Sequence, residues 1–298
     1  MAGQIVDITE DGYFLHTERD WLVITKSAKN IGKVFFGDIE CILVHAKYAT
    51  YSHSFILKAA ERNIPVVICN EKHQPTSTLL PLFGHHSHAG RIQAQALASK
   101  PTKKRLWRQI VRKKIEEQAR TLGKFNIEKG KALLKLKSLV IEGDVSNVEA
   151  RAARYYWANL FTKDFRRERE QAGLNAHLNY GYTILRSALA RSVVAGGLVP
   201  ALGVGHHNAR NNFCLVDDLI EPFRPLVDTI VKQNEFQWNT ELTSDAKSAL
   251  AGLLEIKLNL ENEKTDLLRI FGVTVNSLVN VYANKTGKLI FPKKIMAT

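Results

Sequence analysis

Cysteine is scarce in this 298-residue chain: there are three, Cys41, Cys69 and Cys214, far apart and without a CxxC spacing. A disulfide framework and a thiolate zinc site are therefore not expected, and buried thiols in a reducing cytoplasm are. Long apolar runs are missing as well. The most apolar stretch, residues 192–205, is too short for a bilayer and is interrupted by Gly196, Gly197 and Pro200. The first twenty residues hold six acids and bases, among them Asp7, Glu10 and Arg19, so no secretory leader is expected there. No internal repeat or low-complexity tract is present, and a chain that is 45% hydrophobic and 24% charged reads as folded throughout. Acids are short relative to bases, 29 against 42, a formal net charge of +13. That excess draws polyanions, so nucleic acid leads the expected partners, ahead of an anionic membrane surface.

The excess is local. Residues 1–90 carry a net −1, residues 91–137 a net +12 and residues 138–298 a net +2. The first segment reads as strands. Tyr13 to Leu15, Trp21 to Ile24, Lys33 to Phe36 and Ile39 to His45 are short and rich in β-branched and aromatic residues, punctuated by Gly12, Gly32 and Gly37. Ser52 to Asn63 reads as one helix and Pro65 to Cys69 as a returning strand, which suggests a small antiparallel sheet or sandwich. From residue 91 the period changes to three and four. Leu106, Ile110, Val111, Ile115, Ala119 and Leu122 mark a helix over 91–122. Further helices are predicted at roughly 126–140, 146–172, 176–196, 217–234 and 244–270. The expected fold class is α+β. A β-sandwich-like domain with one helix spans 1–84, a linker spans 85–90, and a larger all-α domain spans 91–298.

Arg105, Arg108 and Arg112 share one face of the 91–122 helix. A charged helix face is commonly just solvated. With 15 bases to 3 acids over 91–137, nucleic-acid phosphate is the better match for this one.

A basic protein that cuts or joins nucleic acid needs a few acids to hold a metal, and three segments offer them. The first contains Glu149, the second His206-His207-Asn208, the third Asp217-Asp218-Leu219-Ile220-Glu221. Each also has an ordinary explanation. Ser146 and Glu149 fit a capping box, Asp217 and Asp218 fit an N-cap with first-turn acids, and the histidines fit a polar turn. Asp218 and Glu221, three apart, point to one helix face, and His206 lies just upstream. Two carboxylates and an imidazole suit Mg²⁺ or Mn²⁺. His85, His86 and His88 form a rival tract with no carboxylate beside it, better read as exposed linker.

At this point the strings become specific. Leu178-Asn179-Tyr180-Gly181-Tyr182-Thr183-Ile184-Leu185-Arg186 is followed by Gly196-Gly197-Leu198-Val199-Pro200-Ala201-Leu202-Gly203, by His206-His207-Asn208, and by Asp217-Asp218-Leu219-Ile220-Glu221-Pro222-Phe223-Arg224-Pro225. Together they resemble the CRISPR-associated spacer-acquisition integrase and endonuclease family, type II branch, over the whole chain. Cys214-Leu215-Val216 stands where the family pattern has Asn-Leu-Ala, a packing change that leaves the ligand positions untouched.

The resemblance implies a metal, Mg²⁺ or Mn²⁺, held by Glu149, His206 and Glu221, with His207 the competing histidine and Asp218 a supporting acid that takes a proton or orients a water. It implies phosphoryl transfer on DNA: the 3′-hydroxyl of a captured fragment attacks a phosphodiester at the edge of a CRISPR repeat, with Arg224 holding the target phosphate or forming only a surface ion pair. Expected partners are double-stranded DNA, a second copy of the chain paired through the β-domain, and a small companion subunit. An RNA-guided effector nuclease and a ring-shaped accessory protein are further expectations. The competing functions are a structure-selective repair nuclease and a non-catalytic DNA-binding scaffold.

Overall fold

The computed structural model describes residues 4–69, 75–79, 81, 88–162, 165–168, 171–238, 241–260 and 263–295. Its N-terminal part holds two four-stranded sheets. Strands β2 (Tyr13–Glu18), β3 (Trp21–Lys26) and β4 (Lys29–Phe35) form an antiparallel meander. The β3–β4 turn is two residues, Ser27 and Ala28, both with positive φ, which matches the twist of a tight hairpin. A short β6 (Thr50–Tyr51) adds in parallel to β2.

The second sheet departs from the antiparallel expectation. Strand β1 (Gln4–Ile8) pairs in parallel with β5 (Ile39–Val44), and β5 in parallel with β7 (Val66–Cys69); only β8 (Pro75–Leu79) runs antiparallel. Parallel neighbours need a crossover longer than a turn; the β2–β4 meander supplies it between β1 and β5, and the helix α1 (His53–Glu61) between β5 and β7. Ser52 starts it by accepting the Phe55 N–H at 3.1 Å.

Strand β5 is buried on both faces, as its near-continuous apolar run requires. Ile39, Ile42 and Val44 enter the core between the two sheets, with Leu15, Leu22, Phe36 and Phe55. Cys41 and Leu43, joined by Val67 and Cys69, point the other way into the helical core. All three cysteines are buried free thiols, and burial pushes the Cys69 thiol up to about 12.

The chain then becomes helical, as expected, with different boundaries. The helix expected over 91–122 is two, α2 (His88–Ala96) and α3 (Lys100–Phe125). Ser99 interrupts by capping α3 through the Thr102 N–H, and Pro101, which has no N–H to give, sits in the first turn. Residues 88–90 of the expected linker belong to α2; His85 and His86 lie outside the described residues. After α4 (Ile127–Leu136), α5 (Val148–Leu160) ends well short of residue 172. Its C-terminal side is held instead by aromatic packing, with the Trp157 and Phe161 rings stacked at 6.0 Å.

Helix α6 (Leu174–Ala195) runs through the core, and Gly181 marks its close approach to the next layer. A Cβ there would lie 2.5 Å from Val227 Cγ1. Helices α7 (Cys214–Ile220) and α8 (Arg224–Gln233) are separated by a 3₁₀ turn, since Pro222 and Pro225 remove two ladder donors in succession. The last expected helix, 244–270, is replaced by α9 (Ser244–Ala251), a hairpin of β9 (Lys257–Leu260) and β10 (Glu263–Asp266), and α10 (Leu267–Asn284). Asp266 caps α10 through the Arg269 N–H at 2.7 Å, which is why the chain turns helical only there. The C-terminal part is thus not all-α. No helix among the described residues is long and apolar enough to cross a membrane.

Candidate active site

Helix α3 crosses the helical core, and its apolar stripe contains Leu106, Ile110, Val111, Ile115 and Leu122, all fully buried. Lys114 lies four residues after Ile110, inside that stripe. Its ammonium meets Glu149 Oε1 at 2.7 Å and Glu221 Oε2 at 2.7 Å. Two carboxylates from separate elements thus converge on one cation. Burial would lower the Lys114 ammonium; the charges of Glu221 and Glu149 outweigh it and hold it above the ordinary lysine range. Burial likewise would raise the Glu221 carboxyl, and Arg224 and Lys114 overcome that, bringing it to about 2.

Each carboxylate is placed by a neighbour in the chain. Glu149 sits in the first turn of α5, and the expected capping box with Ser146 does not form. Asn147 is left-handed at φ 50°, which turns the chain so that Asp144 accepts the N–H groups of Val148 at 3.0 Å and Glu149 at 2.9 Å. Glu221 opens the 3₁₀ turn between α7 and α8 and also pairs with Arg224 Nη1 at 3.3 Å. Arg224 is no surface arginine: its guanidinium packs 4.9 Å from the centre of the Tyr182 ring.

Asp217 and Asp218 are not caps either, since α7 already begins at Cys214. Asp217 takes both forks of Arg186, at 2.7 and 3.1 Å, and is thereby committed. Asp218 is fully buried and draws the preceding loop onto itself. It accepts the backbone N–H groups of Val204 (2.5 Å), Gly205 (2.9 Å) and His206 (3.0 Å), and the Nδ1–H of His206 at 2.6 Å. A carboxylate only accepts, so the proton sits on Nδ1 and Nε2 keeps its lone pair. The bond to Asp218 raises the His206 imidazole above its ordinary value, against burial and with help from the charges of Glu221 and Glu149. Trp107 of α3 meets the same imidazole edge-on at 5.3 Å. Its ring also fills the space beside Gly205, where a Cβ would lie 2.3 Å from the indole. Farther back, Gln95 of α2 holds residues 199–202. Its amide donates to the carbonyls of Val199 and Leu202 at 3.0 Å each and accepts the Val199 N–H at 2.8 Å.

These groups open on a cleft of about 960 Å³. Lys114, Glu149, His206 and Glu221 line it together with Arg167, Arg186, Arg210 and Arg224. His207, Asn208 and Arg210 on its rim are exposed. The structure therefore brings Glu149, Glu221, Arg224 and His206 to one cleft, and lets Asp218 reach it only through His206.

The three arginines assigned to a DNA-facing surface do not line this cleft, and each has a partner within the chain. Arg105 donates to the Lys285 carbonyl at 3.1 Å, Arg112 to the Lys137 carbonyl at 3.1 Å, and Arg108 stands 3.7 Å from Glu142. Farther along α3, Lys113 donates to the Lys293 carbonyl at 3.0 Å, and Glu117 accepts the Ile295 N–H at 3.2 Å. Much of the basic face is a seat for the C-terminal segment of the chain itself.

Lys114, Asp144, Trp107 and Gln95 were not singled out from sequence. Lys114 alone left a signal there, a lysine standing at an apolar-stripe position.

Among the described residues, no three carboxylate, imidazole or thiol groups meet at ligand distance around one point. The donor set nevertheless fits a hard divalent cation in kind. Two carboxylates already share one positive charge, Lys114 Nζ, at equal distances, and the nearby imidazole has its Nδ1 engaged and its Nε2 free.

A family model described as CRISPR associated protein Cas1 matches residues 6–240. The chain is 32% identical to the CRISPR-associated endonuclease Cas1 of Neisseria meningitidis over 284 residues, 94% of this chain and 93% of that one. It is 28% identical to a Cas1 endonuclease of Saccharolobus solfataricus over 239 residues, 75% of this chain and 73% of the other. Among solved structures, a casposase bound to its integration product superposes with a TM-score of 0.79 at 20% identity, covering 97% of this chain and 93% of that chain. A Cas1 protein from Thermotoga maritima gives 0.76 at 15% identity, covering 98% and 99%. A Cas6-RT-Cas1–Cas2 complex gives 0.79 at 17% identity over 99% of this chain and 36% of that one. The chain belongs to the Cas1 family of CRISPR-associated proteins.

Proposed function

We propose that this chain is a metal-dependent DNA integrase and endonuclease of CRISPR adaptation, which inserts captured DNA fragments into a repeat array. One observation carries the proposal: Glu149 and Glu221, from separate helical elements, converge on a single cation 2.7 Å from each, at the wall of an arginine-lined cleft. The names of the relatives, an endonuclease at 32% identity and a casposase with its integration product, supply the reaction class.

Glu149, Glu221 and the Nε2 of His206 would hold Mg²⁺ or Mn²⁺, which when bound lowers the pKa of an attacking hydroxyl and neutralises charge on the phosphate. Asp218 fixes the tautomer of His206, so that the neutral imidazole carries its proton on Nδ1 and offers Nε2 to the cleft; it is a positioning residue. Arg224, held between Glu221 and the Tyr182 ring, directs its remaining N–H groups at a phosphate oxygen. Arg186 and Asp217 brace the same wall. The 3′-hydroxyl of the fragment attacks in line with the departing oxygen of the repeat edge, and one phosphodiester replaces another. With water as nucleophile the same site cleaves.

Two insertions complete one integration, so a second copy of the chain is a partner, and the Cas1–Cas2 neighbour supports a small companion subunit. The test is strand transfer into a repeat-bearing target with Glu149→Ala and His206→Ala, in Mg²⁺ and Mn²⁺. Joining should fall to background in both variants while duplex binding persists. Joining that survives either change refutes the assignment, and cleavage of branched DNA without joining in the parent protein would point to a repair nuclease instead.

A further inference from the structure

We propose that Lys114 is a built-in counter-ion of this site: its ammonium stands between Glu149 and Glu221 where the divalent cation of the proposed reaction belongs, and loading requires it to withdraw into the cleft. The inference rests on the metal-dependent reading of the site.

The geometry leaves little alternative. The ammonium lies 2.7 Å from one oxygen of each carboxylate, at the point between them that a divalent cation bridging the same two oxygens would take. Its own helix cannot retreat to make room, because Ile110, Val111 and Ile115 on either side of Lys114 are fully buried. What can move is the side chain, a flexible four-carbon stem that borders the open cleft. Without metal, the lysine keeps two facing carboxylates from repelling each other and holds them at a common point. With metal, the same charge turns toward the side from which a DNA phosphate approaches. The site stays neutralised in both states, and the ammonium makes cation binding weaker than the bare carboxylates would allow.

The experiment uses the full chain without DNA. Mn²⁺ binding is measured by calorimetry and by the loss of the free-ion electron paramagnetic resonance signal, for the parent, Lys114→Met and Lys114→Gln. Thermal melting is recorded in chelator and in Mn²⁺. The neutral variants should melt lower in chelator, gain more from Mn²⁺ than the parent does, and bind Mn²⁺ about tenfold more tightly or better. Unchanged or weaker binding in the variants overturns the proposal. Absence of Mn²⁺ binding in the parent and both variants overturns the metal reading as well, and so separates the two failures. A measurement on the unaltered protein covers the case in which neither variant folds. With ¹³C-labelled lysine side chains, the Lys114 signal should shift on saturation with Mg²⁺, and an unmoved signal refutes the displacement.

Discussion

Asp218 offers the sharpest test of how the site is built, because its work is entirely in its oxygens. The substitution is Asp218→Asn, which keeps the shape and removes one acceptor. The parent carboxylate receives four N–H groups at a position with no solvent exposure. With the amide oxygen toward Val204 and Gly205, those two donors are kept, and the backbone N–H of His206 is orphaned. With the amide reversed, two buried donors are orphaned instead, so the first arrangement wins. Losing one charge-assisted bond costs about 1.5–3 kcal/mol, and replacing charged by neutral acceptors at the remaining two costs about 1 kcal/mol more. The sum is about 2.5–4 kcal/mol, which for a chain of this length lowers the melting temperature by about 4–6 °C.

The second consequence is chemical. The amide NH₂ now points at Nδ1 of His206, so that nitrogen must accept, and the proton moves to Nε2. The variant should therefore bind Mn²⁺ more weakly than its loss of stability alone explains. The sign of the titration also follows. In the parent, the bond to Asp218 raises the His206 value, so the stabilisation of the imidazolium is present below the unfolded value of 6.5 and is lost as pH rises through the folded one. Histidine NMR should show the value falling in Asp218→Asn. A variant that melts within about 1 °C of the parent and titrates like it would refute the role given to Asp218.

Other outcomes follow from the same geometry. Gly205→Ala drives a methyl into the Trp107 ring, and should lower the melting temperature and disturb the His206 resonances together, while Trp107→Ala restores part of the loss. Replacing Arg105, Arg108 and Arg112 by Ala should cost about 1 kcal/mol for each lost internal hydrogen bond and leave the salt dependence of duplex binding unchanged, whereas Arg210→Ala on the cleft rim should lower that slope by about one unit. A slope that falls in the triple variant would put the basic face of α3 back on the DNA. Burial raises Asp228 to about 6 against the pull of the Tyr182 and Tyr156 hydroxyls, so its contribution is present below the unfolded value of 3.8 and is lost as pH rises through about 6. Relative to the parent, Asp228→Asn should therefore gain about 2 kcal/mol between pH 4 and pH 7 in urea unfolding. A flat difference between the two curves would refute the shift.

What was legible in the sequence is what pattern encodes. The switch of period near residue 91 divides strands from helices, and the strings around His206 and Glu221 mark the cleft. Pairing direction was not legible. An isolated Ile-Glu-Cys-Ile-Leu-Val run does not say how its neighbours arrive: β1 reaches it across the β2–β4 meander and β7 through α1, and both pairings are parallel. The hairpin at 257–266 was hidden for a related reason. Leu253, Leu254, Leu258 and Leu260 fit a helical stripe as well as a strand, and only the Asp266 cap fixes where the helix begins. The basic block was legible as a count of charges, and the partners of those charges were not. Charge along the chain says nothing about carbonyls that fold back onto it, and here residues 285–295 supply them.

Those internal partners explain how a site of acids survives inside a basic protein. The net charge of residues 91–137 suggests an outer polyanion surface, yet one of its buried bases, Lys114, faces two glutamates. Around it, charges alternate inward: Glu149 and Glu221 against Lys114, Glu221 against Arg224, Asp217 against Arg186, Asp218 against His206. A buried carboxylate without such a partner would be protonated or would unfold the site. With one, Glu221 stays ionised down to about pH 2 and is ready to accept a cation at any physiological pH. In the proposed function the cationic partners on the cleft wall then do a second task, since Arg186 and Arg224 border the space proposed for a phosphate. One set of residues keeps the acids charged in the empty protein and presents positive charge to the nucleic acid, so a single substitution among them should disturb folding and DNA chemistry together.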